Sequence, residues 1–139
     1  MGYTHYWDHK GAATEDAEAY ELALSEVRKV VAASPVPLAG GFGDVGTKPE
    51  LDDGVRFNGV GHDSHETLSL RATPEAGFDC CKTARKPYDV VVTACLAVMA
   101  DRLPTFTVSS DGDELEDWKA GCALASEVLG RPISVRLDH

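Results

Sequence analysis

The residues best suited to chemistry are three cations packed into one short stretch, Cys80-Cys81-Lys82-Thr83-Ala84-Arg85-Lys86-Pro87-Tyr88-Asp89. No acid interrupts the run from Cys80 to Tyr88, although the chain carries a formal net charge of −10. The stretch leads into an apolar segment that reads as a helix, and Pro87 fits the first helical turn, where its missing N–H is no loss. Free backbone N–H groups and the helix dipole favour an anion at such a start. Arg85 can fork onto a phosphate or carboxylate, and Lys82 and Lys86 add point charges. Thr83 adds a hydroxyl, and the backbone at Tyr88 and Asp89 adds donors. The chemistry implied is capture of a small anionic ligand, most naturally a nucleotide or another phosphate-bearing molecule. The ordinary alternative is that the three cations pair with acidic surface neighbours.

A second cluster is Asn58-Gly59-Val60-Gly61-His62-Asp63-Ser64-His65-Glu66. His65 and Glu66, with His5 from the first segment, are candidates for general acid and base work in a hydrolase or lyase acting on a phosphate or glycosidic bond. Asn58 could orient a ligand. The histidine spacing matches no zinc motif, so no metal is expected. Gly41-Phe42-Gly43-Asp44-Val45-Gly46 fits G-x-G-x-x-G literally, yet no strand precedes it and no helix follows, so no dinucleotide cofactor is implied. Cys81 lies near cations, where a thiolate nucleophile is conceivable, but quiet packing is the commoner fate of such a residue. No cofactor is expected. The acids Asp111, Asp113, Glu114, Glu116 and Asp117 could form a partner-binding face. A solvated helix start explains them as well.

The elements that must position these residues follow from periodicity. Residues 2 to 8 alternate and suit a strand, with Tyr3, His5 and Trp7 on one face. Thr14 reads as the N-cap of a helix over 14–33, with Tyr20, Leu24, Val27 and Val31 at helical spacing. Residues 34–54 hold three prolines and five glycines and read as a long mobile loop. Segments 55–60 and 66–71 form a hairpin. Residues 88–102 are nearly apolar on all sides, as in a buried helix. A strand at 105–109, a helix ending at Gly130 and a last strand through Ile133, Val135 and Leu137 complete the order. The expected fold is a single α+β domain over 1–139: three helices packed on a mixed, largely antiparallel sheet of about five strands.

The opening Met-Gly-Tyr-Thr-His-Tyr-Trp, the Phe57-Asn58-Gly59 strand with His65-Glu66-Thr67, the Cys81–Asp89 stretch and Val108-Ser109-Ser110-Asp111-Gly112 resemble a family of small uncharacterised bacterial and phage proteins. The likeness spans most of the chain outside 34–53. It implies that polar stretches on separate elements assemble into one site, and a phage setting would suit a protein that sequesters a nucleotide signal. It implies no established activity.

The acid excess argues against a nucleic-acid polymer or a membrane surface as partner. With no signal-peptide pattern and four cysteines that suit reduced thiols, a cytoplasmic protein is expected. Assembly into a homo-oligomer stays open.

Overall fold

The computed structural model describes residues 3–10, 17–111 and 115–136. Its elements are β1 (Thr4–His9), α1 (Ala17–Ala32), β2 (Val55–Phe57), β3 (Leu68–Leu70), β4 (Phe78–Lys82), α2 (Asp89–Arg102), β5 (Phe106–Ser110) and α3 (Glu116–Leu129). Three helices and five strands thus make an α+β domain. The strands divide into two antiparallel sheets, one in the order β4-β1-β5 and one pairing β2 with β3. All strand pairs among the described residues are antiparallel, in line with the largely antiparallel arrangement expected, and the strands divide between two sheets.

The core follows the two periodicities. Tyr3, His5, Trp7 and His9 point inward from β1, while Thr4, Tyr6 and Asp8 face outward. Helix α2 is central, packing on α1, α3 and β5. Its residues Val91 to Met99 are all buried, which explains why all but Thr93 are apolar. Gly130 adopts φ 69° and ends α3 in the left-handed conformation expected of a helix stop.

Two strand expectations are corrected. Ile133 and Val135 are not in a strand: the Ile133 amide donates to the Ser126 hydroxyl (2.9 Å), so it is withdrawn from strand pairing. Leu137 lies outside the described residues, as do Thr14, Asp113 and Glu114. The fifth strand is instead β4, whose Cys80–Lys82 end was read as a lead-in to the helix. Only Cys81 is buried along that edge strand, so it has no apolar alternation to reveal it. The loop over 34–54 is irregular but tied down. Ala39 bridges to Asn58, Glu50 bridges to Arg56, and the Gly41 amide donates to the Glu50 carboxylate (2.8 Å).

Helices α2 and α3 approach most closely at Gly121, where an added Cβ would lie 2.1 Å from Thr93 Oγ1 and 2.8 Å from the Ala94 amide nitrogen. Gly121→Ala is therefore expected to force the helices apart and cost about 2–3 kcal/mol by overpacking. Urea unfolding of the variant checks this; an unchanged midpoint would contradict the close crossing.

Candidate functional site

The turn between β4 and α2 is built by main-chain bonds to β1. The amides of Thr83 and Ala84 both donate to the Tyr3 carbonyl, at 3.0 and 3.2 Å. The chain then turns through two consecutive non-glycine residues with positive φ, Ala84 at 52° and Arg85 at 58°. Each such residue costs about 1–2 kcal/mol, so the surrounding bonds must hold the turn in place. The Lys86 amide returns to the Thr83 carbonyl (3.0 Å), the Asp89 amide to the Lys86 carbonyl (2.9 Å), and α2 begins at Asp89. Strain of this kind gathers where a side chain must be aimed. Here it aims Arg85, whose guanidinium carbon sits 3.8 Å above the Tyr3 ring centroid.

Behind the turn lies a buried polar chain. His5 is fully enclosed, with Nε2 2.6 Å from Asp89 Oδ1 and Nδ1 2.6 Å from Ser110 Oγ. Thr83 Oγ1 donates to the same Asp89 oxygen (2.5 Å), and the Trp118 indole N–H donates to Ser110 Oγ (3.0 Å). A carboxylate only accepts, so Nε2 carries the ring proton. Ser110 already accepts from Trp118 and gives its own proton to Nδ1. Each donor in this assignment meets an acceptor: Trp118 to Ser110, Ser110 to His5, His5 to Asp89. Asp89, in the first turn of α2, also gains from the helix dipole.

The chain runs from a sealed interior to the surface. Trp118 and His5 are inaccessible, whereas the Asp89 side chain is 20% exposed and the Arg85 side chain 60%. This ordering is the reverse of a serine-hydrolase triad, whose serine must meet the substrate. Ser110 is buried and clamped by Trp118. The Tyr3 hydroxyl lies beside Ser110, yet it is buried and closes no hydrogen bond of good geometry. Burial pushes its ionisation up to about 12 against the smaller pull of Ser110, with Asp117 and Asp89 raising it further.

The cations are placed differently from one another. Arg85 Nη1 is 3.2 Å from Asp117 Oδ1, and Lys86 Nζ donates to the His62 carbonyl (3.0 Å). Lys82 ends β4, and its main chain pairs with Glu66: its amide donates to Glu66 Oε1 (2.8 Å) and its carbonyl accepts from the Glu66 amide (3.1 Å). Glu66 thus covers part of the β4 edge. Tyr88 is buried and donates its hydroxyl to the Glu66 carbonyl (2.6 Å). Asn58 is buried as well. Its amide group donates to the carbonyls of Gly41 (3.2 Å) and His65 (2.9 Å), and its Oδ1 accepts from the amides of Gly59 and His65. All of its polar capacity goes into the loop, which leaves nothing for a ligand. His65 is exposed on that loop.

The structure therefore brings Thr83, Arg85 and Asp89 together with His5, and places Asn58, Glu66 and Tyr88 as supports beneath the neighbouring loop. His5 cannot pair with His65 as an acid–base couple, because both its nitrogens are engaged in the interior. The sequence marks Asp117 only as part of an acidic face and Ser110 only within a polar stretch, and it does not mark Trp118 as a site residue at all. The alternation of β5 was a usable signal for Ser110, whereas Trp118 has only helical core spacing to mark it. Cys81 is buried, and its thiol is pushed up to about 12 by burial and by Glu66, which makes it a poor nucleophile. No His, Cys, Asp and Glu grouping among the described residues could hold a metal ion. No helix among them is long and apolar enough to cross a membrane.

No protein-family model, curated protein or solved structure is significantly similar to this chain.

Proposed function

We propose that the protein binds a small anionic molecule, a nucleotide or another phosphate-bearing metabolite, at the turn between β4 and α2. The observation that carries this is the strained turn that holds the Arg85 guanidinium over Tyr3 while leaving it 60% exposed. Its ion pair with Asp117 is a surface contact, which contributes little and is readily exchanged for a ligand anion. Lys82 and Lys86 raise the positive potential of the same turn in a chain whose net charge is −10. Arg85 forks onto the phosphate, and the half-open Asp89 stands next to it. The role is that of a binding protein for a phosphorylated signal or metabolite.

A panel of nucleoside mono-, di- and triphosphates, read by melting temperature, tests the reading. Ligand at a hundredfold excess over Kd adds about 2.7 kcal/mol of stability. Arg85→Ala is expected to weaken binding about tenfold or more, an effect the size of one lost charge-assisted contact. The absence of a shift with every phosphorylated compound would overturn it.

A second reading, hydrolysis or lysis of a phosphate or glycosidic bond, draws support from the two 2.6 Å bonds that hold His5 between Ser110 and Asp89. In that version Asp89 is the exposed base and His5 stands behind it. Turnover of the bound nucleotide, abolished in Asp89→Asn, separates it from binding alone.

A further inference from the structure

We infer that Asp89 determines the ligand class: the bound molecule carries a hydroxyl next to its phosphate, as a sugar phosphate or ribonucleotide does, and that hydroxyl donates to Asp89 Oδ2. This inference rests on the anion-binding reading and narrows it.

The two oxygens of Asp89 are not equivalent. Oδ1 receives both His5 Nε2 and Thr83 Oγ1, at 2.6 and 2.5 Å. Oδ2 has no partner among the described residues, and the side chain is 20% open to solvent. One oxygen is therefore locked from the interior, and the lock fixes the direction in which the other points. The orienting groups are costly. Thr83 and His5 are fully buried, Ser110 is 7% exposed, and Trp118 is fully buried behind it. A buried polar chain of this length rigidifies what it ends on, and it ends on a partly exposed carboxylate with one oxygen engaged. A carboxylate needed only to satisfy the start of α2 would not require a histidine, a serine and an indole in series behind it.

The neighbouring groups fit the same ligand. The charges of Asp89 and Asp117 both act on Arg85 and on the Tyr3 hydroxyl, so these groups share one locale. Arg85 offers only donors, and Asp89 offers only acceptors. A ligand answering both presents acceptor oxygens on one group and an O–H on the next. Sulfate or a simple carboxylate, with no O–H to give, satisfies only the first half.

The experiment is calorimetric titration of the full chain with AMP, 2′,3′-dideoxy-AMP, ribose 5-phosphate and sulfate, repeated on Asp89→Asn and Arg85→Ala. Asn keeps an oxygen for His5 and Thr83 while turning the exposed oxygen into an NH₂ donor, so the fold is retained and the outward acceptor is lost. The expected result is that AMP and ribose 5-phosphate bind about tenfold or more tightly than the dideoxy nucleotide and sulfate. Asp89→Asn should erase that preference. Equal binding of AMP and its dideoxy analogue to the wild-type chain, still weakened by Arg85→Ala, overturns the role of Asp89 and leaves the anion site standing. Binding of none of the four compounds overturns both. The wild-type ligand series alone decides the matter if the Asn variant misfolds.

Discussion

Glu26→Ala is expected to lower the unfolding free energy by about 3–5 kcal/mol, because it strands two arginines that converge on one buried carboxylate. Arg102, at the end of α2, forks onto Glu26 at 2.8 and 3.0 Å, and Arg131, just past α3, reaches it at 2.7 and 3.3 Å. Arg131 also holds Asp101 at 2.6 Å. The cluster ties all three helices at one point. The hydrogen bonds from Arg102 lead in holding the Glu26 carboxyl down at about 2, with burial opposing them and Arg131 adding to them. A depressed carboxylate pKa contributes stability above the unfolded value, about 4.3, and that contribution is lost as pH falls through the folded value near 2. Chemical denaturation across pH 6 to 2 should show a steep decline in the wild type over the lower part of that range. Glu26→Gln should flatten that part. A variant with the wild-type pH profile would contradict the cluster as described.

His5→Phe is expected to cost about 3 kcal/mol, although the side chains are of comparable size. It takes one donor from the Asp89 carboxylate and leaves the buried Ser110 hydroxyl without an acceptor. Thr83→Val, nearly isosteric, removes only the bond from Thr83 Oγ1 and should cost about 1–2 kcal/mol. The order matters more than the sizes: urea midpoints should fall further for His5→Phe than for Thr83→Val. A neutral His5→Phe would mean that apolar packing fully replaces the polar chain, and Asp89 would then lose its fixed aim.

Helices α1 and α3 and the β2–β3 hairpin were legible because their apolar residues repeat with clear periods. The unbroken run Val90 to Met99 named α2 through length and composition, and the burial of Val91 to Met99 agrees. β4 was illegible because an edge strand that buries only Cys81 lacks the period-two signature, and its Lys82 end reads as charge rather than as strand. The same misreading hid what Glu66 does. Its carboxylate sits on the Lys82 amide, a pairing that only the strand makes possible. Arg85 stood out in the sequence as a cation, but its positive φ and its seat over Tyr3 follow from the Tyr3 carbonyl taking two amides across 80 residues of chain, which no local pattern encodes. Alternation grouped His5 with Tyr3 and Trp7 on one face of β1 but did not say that this face is the core, which the burial of all three decides. The partners of His5 were not legible, since Ser110 and Asp89 lie more than 80 positions away.

The most direct test of the anion site is an amide-resolved NMR titration of the chain with AMP. The account predicts saturable shifts confined to Tyr3, the amides from Lys82 to Val90, and Asp117 with Trp118, all lost in Arg85→Ala. No shift at millimolar AMP, or shifts centred on another part of the surface, would contradict it.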